Sequence, residues 1–340
     1  MKIQITDYDG EIFDTVEVPD AELVSDGEGH KQNFLLNPSL CSDFRRTINS
    51  SPIFYSDPNY MAKYHLCCAV MDRLDTCINK INTYGEYPDS EEDFLEFMMY
   101  SAMVIEAVAE ILDQLAVHKK KQPIYNSDED YRFFGEIYRS SPLYNPNAKE
   151  PTDDDFFQYF RSLCFAHPAE TSHHKFRRPG EVQYSPWVIV NRSTSQLHGL
   201  KDAVGVRIYT NLSVDIIDLR ISFATIKEYL KTRYERISLA TEWALAQIEE
   251  QKNNWRKTKV NRLQSPVDIL KEISSILTSR GERTYCLSDL IRYMECPLTE
   301  ESNQRVVDSF RSAITDIIPS LAEAVDNLDH DLAGEICAEL

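Results

Sequence analysis

The chain has 340 residues, 42% hydrophobic and 11% aromatic, enough to bury a sizeable core in one large domain or two ordinary ones. Its formal net charge of -19 argues against nucleic-acid binding spread over the surface, so any contact with RNA or DNA must pass through a local basic patch. Charged residues interrupt every apolar run short of membrane-spanning length, and "MKIQITDYDGEIFDTVEV" lacks an apolar signal core, so a cytoplasmic protein without a membrane partner is expected. The eight cysteines form no Cys-x-x-Cys pair, which supports neither a disulfide framework nor a cysteine-built zinc site. Ten glycines are few for a glycine-turn-rich α/β enzyme, and no glycine-rich phosphate loop is present.

In chain order, residues 2–6 and 11–18 alternate apolar and polar around Asp9-Gly10 and predict a hairpin. Residues 20–50 are polar and irregular, with a short helix expected near Ser42–Thr47. After Pro58, Met61, Tyr64, Cys68, Met71, Leu74 and Ile78 form one helical stripe, closed by Gly85 and Pro88. Ser90 then caps a second long helix, with acidic residues in its first turn and a stripe running from Phe94 through Phe97, Val104 and Val108 to Leu112. Two long helices with a short connection are the signature of a bundle. A short helix over 128–139 and a Pro/Asn-rich loop over 142–151 follow.

Thr152 with Asp155 three residues on reads as an acidic capping box opening a helix whose stripe is Phe156, Phe157, Phe160, Leu163 and Cys164. Pro168 steers His167 out of the α conformation, so this helix should end near Ala166. Strands are predicted over 181–190, 203–210 and 213–221, the last two joined by a tight turn at Asn211. One long helix over 223–257 carries a seam of Phe223, Ile226, Leu230, Tyr234, Ile237, Thr241, Ala244 and Ile248, close to a 3.5-residue period. A basic tail, Lys252, Arg256, Lys257, Lys259 and Arg262, precedes helical segments at about 266–279, 285–294 and 299–327. The expected fold is mainly α with β: an N-terminal β-hairpin segment (1–50), a helical bundle (51–262) with a small antiparallel sheet inserted at about 181–221, and a C-terminal helical unit (263–340).

Arg161 sits at the edge of the phenylalanine stripe and His167 at the mouth of the same helix. A guanidinium with a fixed fork for phosphate oxygens beside a neutral imidazole is a workable pair for cutting RNA without metal. Just behind them, "HHKFRRPGE" puts His173, His174, Lys175, Arg177 and Arg178 into six residues, a candidate phosphate-facing patch with Phe176 placed to stack on a base. The plainer readings are a helix end whose histidine caps carbonyls and a solvated basic loop. Arg192 to His198, "RSTSQLH", repeats the same spacing between strands, without a helical stripe in front of it. The spacings of His167, Glu170, His173 and His174 fit no helical metal motif.

The segment "RSLCFAH", Arg161 to His167 with five residues between, resembles the Arg-x4–6-His motif of the HEPN superfamily. The two long helices before it and the helix after the strands fit that family's bundle, and the resemblance spans roughly 58–257. It implies a metal-independent, cofactor-free endoribonuclease of the abortive-infection or toxin type, active in antiviral defence as a homodimer whose two Arg/His pairs face one another. Arg161 and His167 would be catalytic. His173, His174, Lys175, Arg177 and Arg178 would bind RNA. The seam over 223–257 offers a physical reason for self-association. The rival expectation is a non-catalytic helical interaction or regulatory module, in which the strong acidity, the coiled-coil-like helix and the basic loop all serve contacts with a partner protein.

Overall fold

The structure, a computed structural model, describes residues 2–6, 12–17, 34–115, 130–166, 176–190, 200, 202–284 and 286–338. The fold is mainly helical with a small antiparallel sheet and an N-terminal hairpin. Residues 1–34 form one compact unit, in which β1 (Lys2–Thr6) pairs antiparallel with β2 (Ile12–Glu17), Ile3 opposite Val16. Leu35–Leu340 form the other.

Within that larger unit the bundle begins earlier than its sequence pattern indicated. Helix α1 (Pro38–Asn49) extends the expected Ser42–Thr47 segment at both ends, because Pro38 and the Asn37 side chain, accepting from Ser39 N at 3.0 Å, start it cleanly. It buries Cys41, Phe44 and Ile48, so these residues belong to the bundle core rather than to a hairpin segment. After α2 (Ile53–Ser56), helices α3 (Pro58–Ile81) and α4 (Glu91–Gln114) run as the two long bundle helices. Ser90 caps α4 by accepting from Asp93 N at 3.0 Å. The α4 stripe buries Phe94, Phe97, Met98, Val104, Val108 and Leu112.

The long helix expected over 223–257 is interrupted at Arg236, giving α7 (Phe223–Glu235) and α8 (Ile237–Trp255) once α5 (Gly135–Ser140) and α6 (Asp153–Arg161) are counted. Its apolar seam is spent inside the chain. Phe223, Ile226, Leu230, Tyr234, Ile237 and Ala244 are at most 1% exposed, and the Phe223 ring lies 4.7 Å from that of Phe97. The seam therefore gives no reason for self-association: a stripe already covered by its own bundle has no apolar area left for a second copy.

Strands β3 (Gln183–Val190), β4 (Ala203–Thr210) and β5 (Ile217–Ser222) form an antiparallel sheet in that order. β5 starts later than its alternation suggested because residues 211–216 are used in the connection. Pro186 falls in the irregularity of edge strand β3 between Tyr184 and Trp187, where a missing N–H is tolerated. Gly205 lies in the central strand, where a Cβ would stand 2.3 Å from Leu219 O, so only glycine allows this approach of β4 to β5. The buried Tyr87 hydroxyl donates to Ala203 O at 3.0 Å and ties the sheet to the bundle.

A second core gathers Ile269, Leu270, Ile273 and Leu277 of α9 (Pro266–Ser279), Leu287 and Leu290 of α10 (Leu287–Glu295), and Ile314, Leu321 and Val325 of α11 (Gln304–Asn327). A final helix, α12 (His330–Ala338), was not foreseen. The basic tail turns out to be tethering: Lys259 Nζ donates to Asp326 O, and Arg262 pairs with the Asp326 carboxylate, both at 2.9 Å. Arg256 pairs with Glu249 at 2.9 Å, and Lys257 donates to the Asn254 side chain at 2.8 Å. Among the described residues, no helix is long and apolar enough to cross a membrane.

Candidate functional site

Helix α6 positions the predicted site, and its N-terminal end is tightly bonded. Thr152 and Asp155 form the reciprocal capping box, Asp155 N donating to Thr152 Oγ1 at 3.2 Å and Thr152 N to Asp155 Oδ2 at 3.1 Å. Asp153, 1% exposed, accepts from the backbone N–H of Phe133 at 3.0 Å and of Phe134 at 2.8 Å. Burial pushes its carboxyl above the ordinary range while these amides pull it back. Asp154 accepts from Tyr229 Oη and Arg233 Nε, each at 2.6 Å. Phe156, Phe157 and Phe160 then bury the inner face.

At its far end α6 passes into a π turn over Ser162–Ala166. The Ser162 hydroxyl donates back to Tyr159 O at 2.7 Å, and Leu163 and Cys164 remain in the core. Burial pushes the Cys164 thiol far above its usual range, which leaves it a small apolar residue rather than a nucleophile.

Arg161, the last residue of α6, is the one predicted catalytic side chain that is described. Its side chain is 24% exposed, and Nη1 donates to Glu106 Oε1 on α4. Its Nε is buried with no hydrogen-bond partner among the described residues. His167, His173, His174 and Lys175 lie outside the described residues, as do Arg192 and His198.

Phe176 is a core residue, not a base platform. It is 3% exposed and stacks on Tyr159 with ring centroids 4.1 Å apart and planes 7° from parallel. Gln183, fully buried, donates to Phe176 O at 2.9 Å and accepts from Tyr159 Oη at 2.8 Å. This rivet fixes where Arg177 and Arg178 emerge. Both line a cleft of about 710 Å³, walled on its other sides by Tyr144 and the 142–146 loop and by Leu212, Asp215 and Ile216 of the β4–β5 connection. Glu181 holds the segment in place: its carboxylate accepts from the Arg178 backbone N–H at 2.7 Å, and its backbone carbonyl faces Arg177 Nη1 at 3.5 Å. Arg161 does not line this cleft. The described residues thus bring Arg177 and Arg178 together, with Arg161 separately held on α4.

Sequence reasoning missed Glu106 and the Asp154–Arg233 pair. The signal was available for Arg233: it falls three residues after Leu230, on the buried stripe of α7, and is itself only 3% exposed. A charge at a core position needs a buried partner. Among the described residues, no three His, Cys, Asp or Glu side chains gather in a way that could hold a metal ion.

No family model matches this chain, and no curated protein or solved structure matches it.

Proposed function

We propose that the protein is a cytoplasmic, metal-independent endoribonuclease similar to the HEPN type, acting as a homodimer in an abortive-infection or toxin-like role. The observation that carries this reading is the end of α6. The helix gives way to a π turn immediately after Arg161, and Glu106 anchors that guanidinium at the rim with a quarter of the side chain still exposed. His167 directly follows the last residue of that turn.

In this reading the His167 imidazole takes the proton of a ribose 2′-hydroxyl. The 2′-oxygen attacks phosphorus, and the 5′-oxygen leaves with a proton, giving a 2′,3′-cyclic phosphate and a 5′-hydroxyl. The Arg161 guanidinium offsets the charge that builds on the non-bridging oxygens. Arg177 and Arg178, with the histidines and lysine before them, hold flanking phosphates.

One observation favours a second reading, a non-catalytic helical interaction module: the Glu106 carboxylate already neutralises Arg161. The two separate in an RNA-cleavage and growth-arrest assay in excess chelator. Arg161→Ala and His167→Ala should each lower cleavage at least about a hundredfold with folding retained. Indifference to both substitutions, or chelator-sensitive cleavage, overturns the nuclease reading.

A further inference from the structure

The bundle covers one face of the three-stranded sheet: Val188, Val204, Val206, Ile208 and Leu219 are at most 8% exposed and belong to the core. The outer face carries Tyr184 and Trp187 of β3 opposite Tyr209 and Arg207 of β4. Trp187 is 57% exposed and Tyr184 39%. Positions 184 and 187 are an odd number apart, so a regular strand would put them on opposite faces. The irregularity at Pro186 prevents this, because the step from Tyr184 to Trp187 on β3 stands against the shorter step from Tyr209 to Arg207 on β4. Both β3 rings therefore land beside Tyr209, and the Trp187 and Tyr209 rings lie 6.1 Å apart.

Beside the rings sits an ion pair. Arg207 donates to Asp218 of β5 through Nε at 2.8 Å and Nη2 at 3.0 Å, and Asp218 also accepts from Arg220 Nη2 at 3.2 Å. A protein docked over this face would have to desolvate these charges, a cost that their attraction repays only with further hydrogen bonds. A stacked base uses the face of a ring and leaves the polar edges in water, and it is indifferent to which base it is. A cation stands at the end of the same strands. Gln183 opposite Thr210 is the ladder pair next to Tyr184 and Tyr209, and Thr210 lines the cleft that also holds the exposed Arg178. Rings on a sheet face with a cation at its edge match a nucleic-acid strand, whose bases and phosphates alternate.

We propose that this sheet face stacks the bases of an unpaired RNA strand on Tyr184, Trp187 and Tyr209, with Arg178 on a phosphate at its end. The inference rests on the ribonuclease reading for the choice of RNA as ligand, and it names the substrate class. Single strands are favoured over duplexes, because paired bases are already stacked on one another and offer no free face to a ring.

The test uses the full chain and a fluorescent 2′-O-methyl RNA oligonucleotide, which cannot be cleaved through its 2′ position, read by anisotropy across a salt series. It is offered as a single strand and as a duplex with its complement, and the single strand should bind more tightly by about tenfold. Trp187→Ala and Tyr184→Ala should each weaken single-strand binding about tenfold without moving the salt slope, while Trp187→Phe, which keeps a ring, stays near wild type. Arg178→Gln should instead lower the slope by about 0.7. Single-strand binding that both ring variants leave unchanged, a duplex bound as tightly as the single strand, or no binding by the wild type overturns the proposal. So does a dimer, seen by sedimentation, that Trp187→Ala splits while RNA binding is unchanged, since the face would then belong to a second copy. Both rings are exposed and tested separately, so misfolding of one variant leaves the other to decide. Ring-sensitive binding without cleavage would remove the ribonuclease reading alone. Cleavage with ring-insensitive binding would remove this one alone.

Discussion

The two ends of α6 are held by different physics. At the N-terminal end, buried Asp153 accepts from two backbone amides, Asp154 is gripped by Tyr229 and Arg233, and Thr152 and Asp155 cap each other. At the C-terminal end, Arg161 makes an ion pair with a carboxylate on α4 that is 56% exposed. A buried acceptor cannot be removed without stranding its donors, whereas an exposed ion pair is screened and worth little. One end of the helix therefore behaves as foundation. The other can be altered with little loss of fold, as the catalytic role proposed for Arg161 would require.

Three measurements test that contrast, beginning with the largest effect. Asp153→Ala strands the amides of Phe133 and Phe134 and should lower unfolding free energy by about 3 kcal/mol in a urea titration. A loss within experimental error would mean that water or a shifted chain replaces the carboxylate, and the foundation would not be where we place it.

A smaller effect follows from the raised Asp153 carboxyl. The folded state holds this proton more tightly than the unfolded state, so its contribution is fully present below the ordinary carboxylate pKa. That contribution is lost as pH rises through the higher folded value. Asp153→Asn should flatten this decline in stability with rising pH, and an unchanged slope in the variant would assign it to other groups.

The smallest effect belongs to the far end. Glu106→Gln removes an exposed ion pair and should change stability by no more than about 1 kcal/mol. A substantially larger loss would make Arg161 a structural residue and strengthen the non-catalytic reading.

Much of the fold was legible in local pattern. The α4 and α6 caps, the phenylalanine stripe and the strands at 183–190 and 203–210 follow from side chains acting within a few residues of themselves. The site was legible only as composition. "HHKFRRPGE" looks uniformly available in sequence, yet Phe176 is drawn into the core by Tyr159, Tyr138 and Phe156. Arg177 and Arg178 are thereby brought to a cleft that Arg161 does not share. Glu106 is 55 residues from Arg161, and no local rule pairs them.

Sequence alone determined where α3, α4 and α6 begin, which of their faces are apolar and where this acidic chain concentrates cations, because capping, periodicity and charge act over one or two turns. Tertiary structure alone decided what those features meet. The 223–257 seam is covered by its own bundle, Lys259 and Arg262 of the basic tail are tied to Asp326, and Arg132, Arg233 and Arg236 share a cavity. Each outcome depends on which distant surface lies opposite, and a seam or a cation carries no local record of its partner.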